Sequence, residues 1–82
     1  MSLNILIVED EVIISMDIQN RLETEGYNVV GIASSCNGTL DQIKNNDVDL
    51  VLMDIVIRGE KDGIETAMII KEKYNIPVVY IS

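Results

Sequence analysis

The sequence predicts an α/β domain built on a doubly wound parallel sheet. Three observations carry this. Four short apolar runs alternate with three stretches of helical periodicity, the pattern of strands joined by crossover helices. The chain has 82 residues, enough for one small domain. Its aromatic side chains are three tyrosines and nothing else, while apolar residues make up 48%. An aliphatic core of that kind suits helices packed on strands rich in Val and Ile.

The elements follow in order. Residues 4–8, Asn-Ile-Leu-Ile-Val, form a short apolar run, as expected of a strand buried on both faces. Two acids, Glu9 and Asp10, end it. Residues 11–25 read as a helix, because Ile14, Ile18 and Leu22 recur at i, i+4, i+8 among polar positions. Gly26 follows, where a left-handed cap is expected. Residues 28–33 read as the second strand. Residues 35–46 form a weaker helix in which Leu40 and Ile43 pair at i, i+3, and Asn37 and Gly38 lower the propensity. Ser34 or Ser35 is placed to cap it. Residues 49–53 are the third strand, with Asp54 at its carboxyl end. Residues 55–62 are a loop, with Arg58-Gly59-Glu60-Lys61 as its polar tip. Residues 63–74 form the third helix, with Ile64, Ala67, Met68 and Ile70 predicted inward and Asp62 as its cap. Pro77 stops any continuation, and residues 77–81 are the fourth strand. The chain then ends directly after an apolar strand, which such a sheet normally covers with a helix. The domain therefore reads as C-terminally incomplete.

Composition excludes several function classes. The net charge is −8, so this segment is not expected to bind nucleic acid through its phosphates. Cys36 is the only cysteine; no internal disulfide forms, which fits a reducing, cytoplasmic setting. Histidine is absent, which removes Ser-His-Asp and Cys-His catalysis and imidazole metal sites. Any metal must be held by oxygen, as a hard cation such as Mg2+ is. No apolar run reaches the roughly 18 residues of a membrane span.

Three acids remain to be explained: Glu9 and Asp10 after the first strand, and Asp54 after the third. Sites in open parallel sheets lie outside the carboxyl ends of strands, and the three converge if the first and third strands are neighbours. Like charges about 4 Å apart cost roughly 4 kcal/mol per pair at an effective dielectric near 20. A Mg2+ ion offsets that repulsion and screens an incoming phosphoryl group. A carboxylate then serves as nucleophile, and Asp54 is the best placed. Ser82, at the end of the neighbouring strand, offers a hydroxyl to a phosphoryl oxygen.

These motifs resemble the receiver domain of two-component response regulators. Val8-Glu9-Asp10-Glu11 is similar to that family's acidic cluster. Leu50-Val51-Leu52-Met53-Asp54-Ile55 is similar to its third strand with the phosphoacceptor. Asp62-Gly63-Ile64-Glu65 resembles its Asp-Gly turn, and Pro77-Val78-Val79-Tyr80-Ile81-Ser82 its fourth strand with a terminal hydroxyl. The resemblance covers essentially residues 1–82. It implies a flavodoxin-like receiver fold with strand order 2-1-3-4, the fifth strand and last helices missing. It also implies roles. Asp54 would accept phosphate from a sensor histidine kinase or phosphotransfer protein. Asp10 and Asp54 would bind Mg2+ by their side chains, Val56 by its backbone carbonyl, and Glu9 mainly through metal-bound water. Ser82 would carry the switch hydroxyl. The output would pass to a C-terminal effector domain or a downstream protein. Such a domain assists its own phosphorylation but is no turnover enzyme. Three features depart from the family pattern. The fifth-strand lysine and switch aromatic are absent, the loop before Asp62 is one residue longer, and Arg58 stands where proline is frequent.

Plainer roles suffice elsewhere. Cys36 reads as an inert small residue, and Met16, Met53 and Met68 as core. Arg58 and Lys61 read as solvated loop charges. A phosphorylation-independent interaction module is the main alternative function. A phosphohydrolase is disfavoured by Val56, which stands where a second acid is usual. A dinucleotide fold is disfavoured because no Gly-x-Gly-x-x-Gly follows the first strand.

Overall fold

The computed structural model describes residues 3–57, 59 and 61–81. It contains β1 (Asn4–Val8), α1 (Val12–Thr24), β2 (Asn28–Ala33), α2 (Cys36–Asn45), β3 (Leu50–Met53), α3 (Gly63–Tyr74) and β4 (Val78–Tyr80). All strand pairs are parallel, in the order β2-β1-β3-β4. This is the expected doubly wound arrangement.

Several element ends differ from the sequence reading by one residue, and at the start of α2 capping explains it. Ser35 is extended rather than helical, and its Oγ accepts from the Gly38 N–H at 3.1 Å. Asp62 does the same for α3, its Oδ1 accepting from the Glu65 N–H at 2.9 Å. Each cap satisfies an N–H that the helix itself leaves without a partner. Gly26 takes the left-handed conformation after α1, with φ +92°. Asn75 does so after α3, with φ 53°. Pro77 and Ile81 flank β4 and each makes one bond to the neighbouring strand region: Val51 N–H to Pro77 O, and Ile81 N–H to Met53 O, both at 3.0 Å.

One side of the sheet carries the main core. Leu6, Val8, Ala33, Val51 and Met53 project from the strands against Ile43 of α2 and Ile70 of α3. Leu40, Tyr74, Ile76 and Val78 pack around them. Ile5 and Ile7 alternate with these along β1 and are also buried. α1 lies against β1 and β2.

The helix stripes correct three expectations. Ile14 is exposed and Ile18 and Leu22 are only half-buried, while Ser15 is the buried residue of α1. The Ser15 hydroxyl is satisfied by Val12 O at 2.8 Å. In α3 the buried stripe is Gly63, Thr66, Ala67 and Ile70, spaced i, i+3, i+4, i+7. Ile64 and Met68, predicted inward, lie off that stripe and are exposed. Of the three methionines assigned to the core, only Met53 is there; Met16 and Met68 face outward. Periodicity identifies a stripe, but the neighbours available to cover it decide which edge is buried. Among the described residues no helix is long and apolar enough to cross a membrane.

Candidate functional site

Pairing of β1 with β3 aligns Val8 with Met53, so Glu9 and Asp54 leave the sheet side by side. The backbone holds both. Asp54 N–H donates to Val8 O and Glu9 N–H to Ala33 O, each at 2.9 Å. Asp10 follows at the turn into α1. Each of Glu9, Asp10 and Asp54 offers a carboxylate oxygen, and the three oxygens lie within 4.8 Å of one another. The convergence expected from the sequence is therefore present.

The three acids differ in surroundings. Glu9 is 5% exposed, whereas Asp10 and Asp54 are half-buried. Burial pushes the Glu9 carboxyl above its ordinary value, and a side-chain hydrogen bond with Asp54 and the charges of Asp54 and Asp10 push the same way. The Glu11 N–H, donating to Glu9 Oε1 at 3.1 Å, acts against them. Across the site, Val56 N–H donates to Asp54 Oδ1 at 3.2 Å. Val56 itself is exposed, in the loop just past Asp54. Ser82 and Arg58 lie outside the described residues.

This donor set suits a hard divalent cation. All three groups are carboxylates, and burial and the neighbouring acids both disfavour the charged form of the buried one. A cation relieves both the desolvation and the repulsion. The sequence supplies no imidazole, and the sole thiol, Cys36, is buried at the start of α2, so softer metals gain nothing here.

Two residues that anchor the site escaped the sequence reading. Ile57, in a segment read only as loop, is buried in the core and roots the segment after Asp54. Gly63 brings the start of α3 onto the backbone of Asp54 and Ile55. The apolar run Ile55-Val56-Ile57, continuing past Asp54, was a signal for the first. For the second, the Asp-Gly pair was read as a cap and turn, and its packing role has no local signature.

Comparison with known proteins agrees with this geometry. The family model for the response regulator receiver domain matches residues 5–82. The chain is 36% identical over 78 residues to the transcriptional regulatory protein PdtaR of Mycobacterium tuberculosis, covering 95% of this chain and 38% of that protein. Among solved structures, the signal receiver domain of a modulated diguanylate cyclase from Desulfovibrio desulfuricans superposes with a TM-score of 0.90 at 30% identity, over 96% of this chain and 63% of that one. The anti-anti-sigma factor PhyR of Bartonella quintana, complexed with the anti-sigma factor NepR, superposes with a TM-score of 0.90 at 32% identity, over 100% of this chain and 34% of that one. The sequence thus spans only part of the length of these relatives. With the parallel sheet, the acid trio at its carboxyl edge and a family match over nearly every residue, this chain belongs to the response regulator receiver domain family.

Proposed function

We propose that this domain is a phosphorylation-controlled signalling switch in which Asp54 accepts a phosphoryl group from a phosphohistidine on a sensor histidine kinase or phosphotransfer protein. The observation that carries it is the meeting of the Glu9, Asp10 and Asp54 oxygens within 4.8 Å at the ends of two adjacent strands. Asp10 and Asp54 would hold Mg2+ with their carboxylates, Val56 with its carbonyl, and Glu9 through water. Bound there, Mg2+ supplies positive charge that lets an anionic phosphoryl group approach an anionic nucleophile.

The chain's own residues do the rest. An Asp54 carboxylate oxygen attacks phosphorus, forming an O–P bond as the donor's P–N bond breaks. The imidazole nitrogen leaves with the electron pair and takes a proton from solvent. The Val56 N–H, already on Asp54 Oδ1, orients the carboxylate. Phosphorylation then alters charge and hydrogen bonding at the site and biases two arrangements of the domain. Ser82 is assigned the switch hydroxyl on the resemblance alone. The domain assists its own modification without being a turnover enzyme. Its output would pass to a following effector domain or to a separate protein, in the cytoplasm.

A phosphorylation-independent interaction module is the second reading. Val12, Ile13 and Met16 are exposed along α1 beside the acids, and this favours contact with a protein partner. Intact mass decides between the two, measured before and after incubation with Mg2+ and a small phosphoramidate. The expected result is a gain of one phosphoryl group, lost in Asp54→Asn. No gain, or a gain retained by Asp54→Asn, overturns the switch reading.

A further inference from the structure

The Asp54 carboxylate is part of a site only if its backbone sits at the right height beside Glu9 and Asp10. On one side that height is set by the sheet, through Asp54 N–H to Val8 O at 2.9 Å. On the other side it is set by α3. The Gly63 N–H donates to Ile55 O at 2.7 Å, and the first turn of α3 rests on the Asp54–Ile55 backbone with no space between. A Cβ at position 63 would collide with the Asp54 carbonyl oxygen and lie 2.7 Å from Ile55 Cα and 2.9 Å from Ile55 O. All three are backbone atoms, which cannot swing aside as a side-chain tip does.

Space, not backbone conformation, is what position 63 requires. The glycines with positive φ are Gly26 and Gly59; Gly63 is not among them and has helical geometry. Something must move if a side chain is added. α3 is rooted by Ala67 and Ile70, both buried, and the loop by Ile57. The backbone that the added side chain would meet is that of Asp54 and Ile55, between buried Met53 of β3 and buried Ile57.

We propose that Gly63 is a positioning residue for Asp54: its missing side chain and its amide seat α3 directly on the acceptor's backbone. The inference rests on reading the acid trio as the cation and phosphoacceptor site. It makes α3 a reporter of that site, since coupling between two places is reciprocal. Mg2+ binding at the acids should slow hydrogen exchange at the Glu65 and Thr66 amides in the first turn of α3.

Mg2+ titration tests it on wild type, Gly63→Ala and Gly26→Ala, with the rate of phosphorylation by a phosphoramidate measured at saturating Mg2+. Gly26→Ala is strained by its φ of +92° but has nothing within 4 Å of the new methyl. It should lower Tm and leave the Mg2+ Kd unchanged. Gly63→Ala should raise the Kd by roughly tenfold or more, the scale of losing a group that orients a metal ligand, and should slow phosphorylation at saturating Mg2+. Gly63→glycolic acid adds no side chain; it replaces the amide N–H with an ester oxygen and weakens the Asp62 carbonyl as an acceptor for Thr66, so it serves even if Gly63→Ala does not fold. Its Kd should rise on the order of 3–10-fold, the scale of one hydrogen bond. An unchanged Kd in the folded position-63 variants, with or without a lower Tm, overturns the inference while wild type still binds Mg2+ and takes phosphate. A wild type that does neither overturns the reading of the site, and the inference with it.

Discussion

Glu9→Gln should stabilise the metal-free protein and weaken its hold on Mg2+. Glu9 is 5% exposed and its oxygen lies within 4.8 Å of those of Asp10 and Asp54. Two unit charges at that separation repel by about 3.5 kcal/mol at an effective dielectric near 20. Asp10 and Asp54 are half-open to water, so solvent screening reduces the realised cost to about 1–2 kcal/mol. The amide oxygen of glutamine keeps the bond accepted from Glu11 N–H, and its NH2 offers Asp54 a donor in place of a charge. A gain of that size raises Tm by on the order of 5–15 °C for a domain this small.

The pH dependence follows from the direction of the Glu9 shift. Its folded pKa is raised above the ordinary value of about 4.5, so the folded state binds the proton more tightly than the unfolded state. The associated stability is fully present below the unfolded value and is lost as pH rises through the folded one. Wild type without divalent cation should therefore weaken as pH climbs from below 4.5 to 8, and Glu9→Gln should lack that component. Thermal melts in EDTA at pH 4 and pH 8 measure it. A Tm gain at pH 8 that disappears at pH 4 supports the argument. No gain at pH 8, or an equal gain at both, refutes it. Added Mg2+ should then raise the Tm of wild type more than that of Glu9→Gln, reversing their order at sufficient concentration.

Two further outcomes test the scaffold. Ser35→Ala removes the bond accepted from Gly38 N–H and should cost about 1 kcal/mol, read as a lower urea midpoint with the slope unchanged. Ile70→Ala empties a fully buried core position and should cost roughly 2–5 kcal/mol, whereas Ile64→Ala, nearer the start of the same helix and 48% exposed, should cost less than about 1 kcal/mol; equal losses at the two positions would show that the α3 stripe is misassigned.

Much of the candidate site was legible because the signals are local. Glu9, Asp10 and Asp54 each stand where an apolar run stops, and in a parallel sheet those stops lie along one edge. Asp62 and Ser35 announced their helices by residue type, and the structure shows both capping. What stayed hidden depends on distant neighbours. Nothing near Glu9 in sequence says that it is buried while Asp10 beside it is half-open.

The sequence by itself determined the order of elements, their ends to within a residue, the parallel sheet and the three acids. Apolar period, caps and turn residues act over a few positions, and they are sufficient for that much. Only the tertiary structure decided which helix edges are covered. Ile14, Ile64 and Met68 carry the right period and are still exposed, because burial requires a partner surface that periodicity does not supply. Only the tertiary structure, likewise, showed why position 63 has no side chain. The atoms that forbid one belong to Asp54 and Ile55, brought there by the path of the loop and the seating of α3 on the sheet.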